Sequence, residues 1–481
     1  MWLGIDVGTS GVKAVLVDEA DRIAGEATAR LSVDRPLADR AEQDPASWWG
    51  ATAATLDALA AARPAAMAQV AGIGLSGQML GVALVDGDGV PIRPALLWND
   101  GRAVAEGRVL EAAVPGFAAI TGSRPMPGFP APKIRWLADH EPAALDRARL
   151  ILLPKDFVRL RLTGEAASDR ADASATLLMD TAAGDWHPAI MAACGIGRDR
   201  LPRLVDCAEA GAPLLPGLAR RWGVPPRAPV VGGAGDNMCG AVGAGVARDG
   251  AGHVSLGTSG VLFVANARFV PSHDRGMHTH RHAVAGLYCQ QAVVLSAAGA
   301  LSWIAAAVGA ADVGALVAEV EAARLPVPEV PVFTPYLAGE RTPHDDPSLT
   351  AAFSGLSFAT GRLHLVQAVM EGVALALADC RDALLSTGAA VGALRLVGGG
   401  ARSRLWADLV AAATGCVLAV PSSAAVGPAL GAARLARLGT GGPLIAGAEE
   451  IVYTAVPRPE LAAALAAKRR RFAAHPRAGA P

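Results

Sequence analysis

The sequence predicts an α/β protein built from two large domains. Its 481 residues exceed what one hydrophobic core usually organises, so size alone favours two domains. Short apolar strand patterns end in glycine-rich turns that lead into helical patterns, which is typical of α/β folds. Helices are predicted at 45–62, 131–140, 363–388 and 402–414. A strand-turn-strand unit near the start of the chain also returns half a chain later. We therefore expect two related domains with a cleft between them.

The composition is that of a globular protein without a polyanionic partner. Hydrophobic residues make up 52% of the chain and the formal net charge is -1, so neither disorder nor nucleic-acid binding is expected. The six cysteines form no CxxC pair, which argues against a disulfide framework and a thiolate zinc site. No secretory signal pattern opens the sequence. We expect a cytoplasmic protein away from membranes, and the uncharged run 293–311 predicts one buried helix.

The repeated unit is a hairpin around the turn Gly-Thr-Ser-Gly, at residues 8–11 and again at residues 257–260. Glycine permits a positive φ, so successive amides can converge on an anion, and the two hydroxyls add donors. One such turn alone would be read as an ordinary hairpin loop. Because the unit is duplicated, we predict a pair of turns that grip a polyphosphate.

Charged side chains accompany only the first copy of the turn. Asp6 ends an otherwise apolar strand, where a carboxylate is costly unless a cation lies nearby, so we predict that Asp6 faces Mg²⁺. A buried, hydrogen-bonded aspartate is the alternative. Lys13 is one of only four lysines among 43 basic residues and is predicted to bring a point charge to the same phosphates. Ser255 and Leu262 stand at the matching positions of the second copy.

Asp236 is the predicted catalytic base. It follows a strand and a run of glycine and alanine, and it opens a helix of small residues. Aspartate is also a favoured helix N-cap, so a purely structural role is the alternative. The small residues leave room for the close approach of a ligand, and Asn237 supplies a second polar group. A base beside a substrate hydroxyl is what phosphoryl transfer to an alcohol requires.

Two further patterns complete the candidate sites. The glycines at 398–400 precede a helix, and although they lack the GxGxxG spacing and a Walker lysine, they can bring the backbone flat against a base or ribose. His278, His280 and His282 alternate, as on one face of a strand. Since no fourth ligand is close in sequence, we predict a polar strand face and not a transition-metal site.

Several segments occur in the order known from one enzyme family. The stretches GFPAPKIRWLADH (128–140) and AAFSGLSFATGRLHLVQAVMEG (351–372) are similar to the two signatures of the FGGY carbohydrate kinases. SGQM, LLWNDGR, LLPKDFVRLRLTGE and PYLAGERTPH resemble further family segments. The resemblance implies two ribonuclease-H-like domains of the actin/hexokinase/chaperone ATPase-like kind, flanking an ATP cleft. It places the sugar site, the first turn and the catalytic Asp in 1–247, and the second turn and the adenosine site in 248–481.

The resemblance also implies the reaction. ATP with Mg²⁺ would phosphorylate a sugar hydroxyl, with D-xylulose giving D-xylulose 5-phosphate and Asp236 acting as base. The residues implied for the sugar or polyol are Gln78, Met79, Leu80, Trp98, Asn99, Asp236 and Asn237. Those implied for the nucleotide are Thr9, Ser10, Lys13, Gly257, Thr258, Gly398, Gly399, Gly400 and Ser403. A homodimer is an open alternative to a monomer.

One departure bears on the substrate. The pentulose branch of the family usually reads SGQMHG, but here Leu80 replaces the histidine expected to contact the sugar. An apolar group cannot satisfy a buried hydroxyl, and an unmet hydrogen bond costs about 1 to 3 kcal/mol. The alternatives are therefore a kinase for another ketose or polyol, such as ribulose or erythritol, and a non-metabolic actin-like ATPase module.

Overall fold

Two seven-stranded sheets organise the protein, one in each half of the chain. The computed structural model describes residues 1–422, 427–445 and 450–474. The strands of the first half are β1 (Trp2–Val7), β2 (Gly11–Val17), β3 (Ile23–Arg30), β4 (Glu42–Gln43), β5 (Gly72–Gly77), β6 (Ala83–Val85), β7 (Ala95–Leu96), β8 (Leu150–Leu152), β9 (Ala167–Asp169), β10 (Met179–Asp180), β11 (Asp185–Trp186), β12 (Arg203–Val205), β13 (Ala210–Pro213), β14 (Pro229–Val231) and β15 (Ala234–Gly235). Its helices are α1 (Pro45–Ala62), α2 (Pro64–Met67), α3 (Val104–Ala113), α4 (Phe117–Thr121), α5 (Pro130–His140), α6 (Pro142–Arg147), α7 (Pro154–Thr163), α8 (Arg170–Ser174), α9 (Pro188–Ala193), α10 (Pro216–Trp222) and α11 (Asp236–Gly243).

The second half repeats the mixture of strands and helices. Its strands are β16 (Gly252–Leu256), β17 (Gly260–Asn266), β18 (His278–Arg281), β19 (Tyr288–Val294), β20 (Val332–Thr334), β21 (Ala352–Ser354), β22 (Leu394–Val397), β23 (Leu418–Pro421) and β24 (Ile451–Ala455). Its helices are α12 (Ala298–Ala307), α13 (Val313–Ala323), α14 (Arg362–Ser386), α15 (Arg404–Thr414), α16 (Gly427–Gly439) and α17 (Pro459–Ala473). Short 3-10 helices lie at Arg198–Arg200, His273–Arg275, Val327–Glu329 and Gly399–Arg402.

The first sheet has the order β13-β14-β5-β1-β2-β3, and β15 also pairs with β5. Strands β1, β5 and β15 run parallel, and Asp6, Ser76 and Ala234 lie side by side in their register. The carboxyl ends of these strands therefore meet at one edge of the sheet. Ligands gather at such edges in α/β proteins.

The second sheet has the order β18-β19-β17-β16-β22-β23-β24 and opens with the second copy of the hairpin. The predicted duplication of the hairpin is confirmed, because β1 and β2 pair antiparallel as β16 and β17 do. The two copies differ by one residue in register. Val7 pairs with Val12 across the first turn, whereas Leu256 pairs with Gly260 across the second. The second turn is therefore one residue tighter.

The predicted helices at 45–62, 131–140, 363–388 and 402–414 are confirmed as α1, α5, α14 and α15, within two residues at each end. The prediction of one buried helix over 293–311 is wrong. That run holds the end of β19 and then the ten-residue α12, which buries only one face. Alanine-rich composition hid the amphipathic pattern. In the described part of the chain, α14 alone is long and apolar enough to cross a membrane, and its apolar window is 78% buried in the fold.

Helix α16 belongs to the second half of the sequence but packs on the first sheet. The contact is so close that glycine is needed: an ideal Cβ on Gly4 would lie 1.9 Å from the Ala429 carbonyl oxygen. One on Gly431 would lie 1.8 Å from the Cys239 carbonyl oxygen of α11. Residues 427–439 of the predicted second domain, 248–481, therefore contact the first sheet, and these bounds stay a prediction; the last residues, 475–481, lie outside the described residues.

We predict that Gly431→Ala lowers the stability of the protein by about 3 kcal/mol, because backbone atoms of two helices would have to move apart. The control is Gly50→Ala in α1, where an added Cβ meets nothing within 4 Å. It should raise stability by about 0.5 to 1 kcal/mol, since alanine is the better helix former. Thermal unfolding of both variants checks this, and equal melting temperatures would contradict the packing.

Candidate active site

Two carboxylates meet at the edge of the first sheet. Asp6 is near the end of β1 and accepts a hydrogen bond from the Ser76 hydroxyl on β5 at 2.9 Å. Asp236 is the first residue of α11, directly after β15, and its Oδ1 accepts from the Asn237 amide at 2.8 Å. The N-cap of α11 is Gly235, so the alternative that Asp236 serves as the cap is wrong. Three adjacent parallel strands thus place both acids together.

Both carboxyl groups have raised pKa values. Burial raises the pKa of Asp236 to about 7, and the negative charge of Asp6 adds to the shift. Burial also raises the pKa of Asp6 to about 6, although the Ser76 hydrogen bond and the charge of Lys13 act in the opposite direction. A carboxyl group that titrates near neutral pH suits a general base. Two neighbouring acids that resist ionisation also make a favourable environment for a cation.

The first turn is hydrogen-bonded to residues predicted to bind the sugar. The Thr9 hydroxyl donates to the Gln78 side-chain oxygen at 2.9 Å and accepts from the Trp98 indole at 3.1 Å. Ser10 is exposed at the tip of the turn. Lys13 forms an ion pair with Glu26 at 3.0 Å on the neighbouring strand, so its ammonium is shared between that carboxylate and the Asp6 region.

Buried Lys133 holds two loops together. From α5 its ammonium donates to the Leu80 carbonyl at 2.8 Å and to the Leu97 carbonyl at 2.5 Å. Burial lowers the pKa of Lys133 to about 7. Leu80 has a φ of 67°, in the left-handed region that disfavours most side chains. The lysine therefore stabilises an uncommon backbone conformation beside the candidate sugar site, a role that the sequence did not reveal.

Several predicted sugar residues lie on these loops. Trp98 is 49% exposed. The side-chain oxygen of Asn99 is buried and has no hydrogen-bond partner among the described residues, so it can accept from a ligand hydroxyl. Met79 packs against Gly235, where an ideal Cβ would lie 2.5 Å from its Cγ. Gln78 is almost fully buried, and its side chain contacts Thr9 from inside the protein.

A buried charged cluster supports the loop before Asp236. Lys155 lies 2.5 Å from Asp156, 2.6 Å from Asp169 and 3.3 Å from Asp172. Burial alone would lower the pKa of Lys155, but the three carboxylates raise it well above its ordinary value. An ideal Cβ on Gly235 would lie 2.9 Å from the Asp172 carboxylate. The cluster therefore lies directly behind the segment that leads into Asp236.

The predicted nucleotide residues of the second half form their own group. Gly398 follows β22 with a φ of 89°, and an ideal Cβ there would lie 2.8 Å from the Leu256 carbonyl oxygen. Gly399 is exposed with open space beside it, whereas Gly400 is buried against Leu256. A larger residue at 398 would thus displace the end of β16.

The second turn and Ser403 have structural partners as well. The Gly257 and Thr258 carbonyls accept from the first amides of α12 at 2.8 to 3.0 Å. Ser403 caps α15: its hydroxyl accepts from the Trp406 amide at 3.1 Å and donates to Glu321 at 2.7 Å. The Ser403 hydroxyl proton is donated to Glu321. A contact between Ser403 and the nucleotide therefore stays a prediction.

Asn237 connects the two halves at the site. Its side-chain nitrogen donates to the Gln291 oxygen on β19 at 3.3 Å. The apolar residues behind it form one buried cluster from both halves, including Met79 and Met238 from the first and Phe263 and Leu435 from the second. Asp236 and Asn237 therefore sit where the two parts of the chain touch.

The alternating histidines are not a polar strand face, so that prediction is wrong. His278 and His280 on β18 and His282 just after it are 7%, 3% and 4% exposed, and β18 packs against α8 of the first half. His278 lies 3.2 Å from the Ser123 hydroxyl, and burial lowers the pKa of His280 and His282 to about 4. Within residues 1–422, 427–445 and 450–474, no group of three potential ligands could hold a metal ion.

The raised pKa of Asp236 predicts a pH-dependent stability difference. The folded protein keeps this proton up to about pH 7, whereas the unfolded chain releases it near 3.8. The stability contributed by this group is full below 3.8 and is lost as the pH rises through 7. Asp236→Asn should therefore melt a few degrees above the original protein at about pH 8, and the gain should shrink toward about pH 5.

The matched control is Asp57→Asn in α1, where Arg221 lowers the pKa of the carboxyl group. Its effect on the melting temperature should stay constant over the same pH range, because Asp57 is ionised throughout. A difference for Asp236→Asn that is equally flat with pH would contradict the raised pKa.

Comparisons with known proteins identify the family of the chain. The sequence matches the FGGY family of carbohydrate kinases, N-terminal domain, over residues 1–243, and the C-terminal domain of the same family over residues 252–439. A xylulose kinase of Klebsiella pneumoniae is 44% identical over 438 residues, which cover 91% of this chain and 90% of the relative.

Solved structures show the same two-part fold. A structure described as a xyloylose kinase from Brucella ovis matches with a TM-score of 0.95 and 42% identity, covering 98% of both chains. A xylulose kinase from Rhodospirillum rubrum matches with a TM-score of 0.91 and 28% identity, covering 98% of this chain and 97% of that one. The predicted resemblance is confirmed: the chain belongs to the FGGY family of carbohydrate kinases.

Proposed function

We propose that this chain transfers the terminal phosphoryl group of ATP to the terminal hydroxyl of D-xylulose, giving D-xylulose 5-phosphate. The observation that carries the proposal is the pair Asp6 and Asp236, two carboxyl groups with raised pKa that lie near the end of β1 and directly after β15, the two strands that pair with β5. The 44% identity to a xylulose kinase over 91% of the chain supports the choice of sugar. Membership of a carbohydrate kinase family leaves the ATPase-module alternative without support.

In this proposal Asp236 orients the sugar hydroxyl and takes its proton as the phosphoryl group is transferred. A pKa of about 7 leaves a large fraction of the carboxylate ionised at neutral pH while keeping it basic enough to accept the proton. Phosphoryl transfer depends mostly on positioning and on electrostatic stabilisation, so the fixed backbone at the strand ends contributes directly. Asn99 and Asn237 supply amide groups that can bind other sugar hydroxyls.

ATP and Mg²⁺ fit the residues at the site. The amides of the two Gly-Thr-Ser-Gly turns would hold phosphates, and the open backbone at Gly399 would lie against the nucleoside. Asp6 would hold the metal, because Mg²⁺ is usually bound by one or two carboxylates together with substrate phosphates. The metal would neutralise charge on the phosphates. Its positive charge would also lower the pKa of both acids.

Leu80 favours a second candidate, a kinase for another ketose or polyol. Its side chain is partly buried against apolar residues and offers no hydrogen bond to a sugar hydroxyl. A substrate that lacks or repositions the hydroxyl at this point would lose nothing here. Ribulose and erythritol are the alternatives that the sequence suggests.

A panel of D-xylulose, ribulose and erythritol with Mg-ATP tests the function, with ADP release and the phosphorylated product both measured. We expect D-xylulose to give the highest kcat/KM. Asp236→Ala should lower kcat by about 10²-fold or more, whereas Asp57→Asn should leave it unchanged. No stimulation by D-xylulose together with clear stimulation by another compound would contradict the proposed substrate.

Lys133 provides a separate test of the sugar site. Lys133→Met removes the link between the Leu80 and Leu97 carbonyls, so the sugar loops should separate and the KM for the sugar should rise roughly tenfold. The KM for ATP should change little, because the nucleotide residues lie elsewhere. Lys468→Met is the control, a second buried lysine that pairs with Glu371 in the other half. Equal kinetic effects of both changes would contradict the role of Lys133.

A further inference from the structure

A chain of hydrogen bonds runs from the core of the first half to the cleft. The Trp48 indole and the Gln78 side-chain nitrogen both donate to the Gln43 side-chain oxygen, at 2.9 and 2.8 Å. Thr9 then donates to Gln78 at 2.9 Å, and the Trp98 indole donates to Thr9 at 3.1 Å. We call these five residues the Gln43 chain. Its inner members are at most 1% exposed, whereas Trp98 is 49% exposed.

The direction of every bond in the Gln43 chain is fixed by its surroundings. The Gln43 side-chain nitrogen donates to the carbonyls of Thr9 and Ser32, both at 2.8 Å, and a carbonyl oxygen can only accept. Its oxygen must therefore face Trp48, whose indole can only donate. This orientation requires the nitrogen of Gln78 to face Gln43. The oxygen of Gln78 is then turned toward Thr9.

These orientations determine the hydrogen bonds of the Thr9 hydroxyl, which has a single proton. That proton is donated to Gln78, and the oxygen accepts from Trp98, whose indole cannot act as an acceptor. While the Gln43 chain is intact, Thr9 has no proton to offer to a phosphate. This conflicts with the sequence-based expectation that Thr9 binds the nucleotide through its side chain.

We propose that Thr9 and Gln43 are positioning residues for the sugar side of the site, and that the Thr9 hydroxyl is not a phosphate ligand. The hydroxyl fixes the half-exposed ring of Trp98, one of the predicted sugar residues, relative to the buried Gln78. The phosphate grip of the first turn is left to its backbone amides and to the exposed Ser10. The inference rests on the proposed function, since it requires a sugar substrate next to Trp98.

Gln43 positions Thr9 and Gln78 from the interior of the protein. It binds the backbone carbonyl of Thr9 as well as the side chain of Gln78, so it couples the position of the first turn to that of the sugar loop. All of its polar atoms are satisfied inside the protein. Removing it would free both Gln78 and Thr9 to reorient.

The test separates binding of the sugar from binding of the nucleotide. In Thr9→Val and in Gln43→Leu, the Kd for the sugar should rise roughly five- to tenfold, because bonds that fix Trp98 are lost. The Kd for a Mg-bound, non-hydrolysable ATP analogue should stay within about twofold of the original value. Thr9→Ser keeps the hydroxyl and should restore sugar binding. The double variant should be little worse than either single variant, since both break one network.

The control is Gln367→Leu in α14, a buried glutamine whose nitrogen also donates to a backbone carbonyl, that of Leu325. It should leave both Kd values unchanged. If Gln43→Leu fails to fold, Trp48→Phe removes one donor of the chain and should give a smaller rise in the sugar Kd. Calorimetry gives each Kd without relying on turnover.

The inference is overturned if Thr9→Val weakens the ATP analogue as much as the sugar, or more, since a phosphate ligand would behave in that way. It is also overturned if Thr9→Ser fails to restore sugar binding. Failure of the proposed substrate is a distinct outcome. If the original protein binds ribulose or erythritol and not D-xylulose, the same Kd comparison is made with that compound and judges the inference by the same criteria.

Discussion

The parallel register of β1, β5 and β15 brings two buried acids, Asp6 and Asp236, to the same edge of the first sheet. The rest of the site depends on this pair of acids. Asp6, Ser76 and Ala234 are neighbours across the three strands, so Asp236 emerges two residues later beside Asp6. Burial raises both pKa values, and the negative charge of Asp6 raises the pKa of Asp236 further. Ionising both acids is unfavourable in the protein without ligands. It becomes favourable when a cation and a proton-donating hydroxyl arrive together, which is the situation in phosphoryl transfer.

Close packing of helices behind Asp6 and Asp236 holds the two acids in place. Helix α11, which begins with Asp236, is pressed against α16 through Gly431, and α16 lies on β1 through Gly4. Arg434 of α16 pairs with Asp21 at 2.5 Å and donates to the Gly243 carbonyl at 2.7 Å. It therefore binds the end of α11 opposite to Asp236. Helices from both halves of the chain thus fix the position of Asp236, the proposed base.

The sequence predicted those features that depend on local patterns. The repeated turns, the four helices and the placement of Asp236 after a strand follow from periodicity and from glycine, which act over a few residues. The return of α16 to the first sheet and the burial of the histidines on β18 could not be read in this way. Both result from contacts between distant segments, for which a single sequence carries no periodic signal.

The same limit applies to the candidate site. Asp6 and Lys13 were conspicuous because charge is rare in strands and lysine is rare in this chain. Ser76, Gln43 and the loop contacts of Lys133 gave no comparable signal, since a buried polar residue is recognised only once its partners are known. Lys468 opens the basic run 468–471, a pattern typical of a solvated helix face, yet it is buried against Glu371. Scarcity of lysine was the one clue that applied to it.

The most direct test of this account is the titration of the Asp236 carboxyl group by carbon-13 NMR in the protein without ligands. The account predicts a pKa of about 7 in the original chain. It predicts a lower value in Asp6→Asn, because the negative charge that opposes ionisation is removed. A pKa close to 3.8 in the original chain, unchanged by Asp6→Asn, would contradict the claim that the strand register holds two mutually repelling acids at the centre of the site.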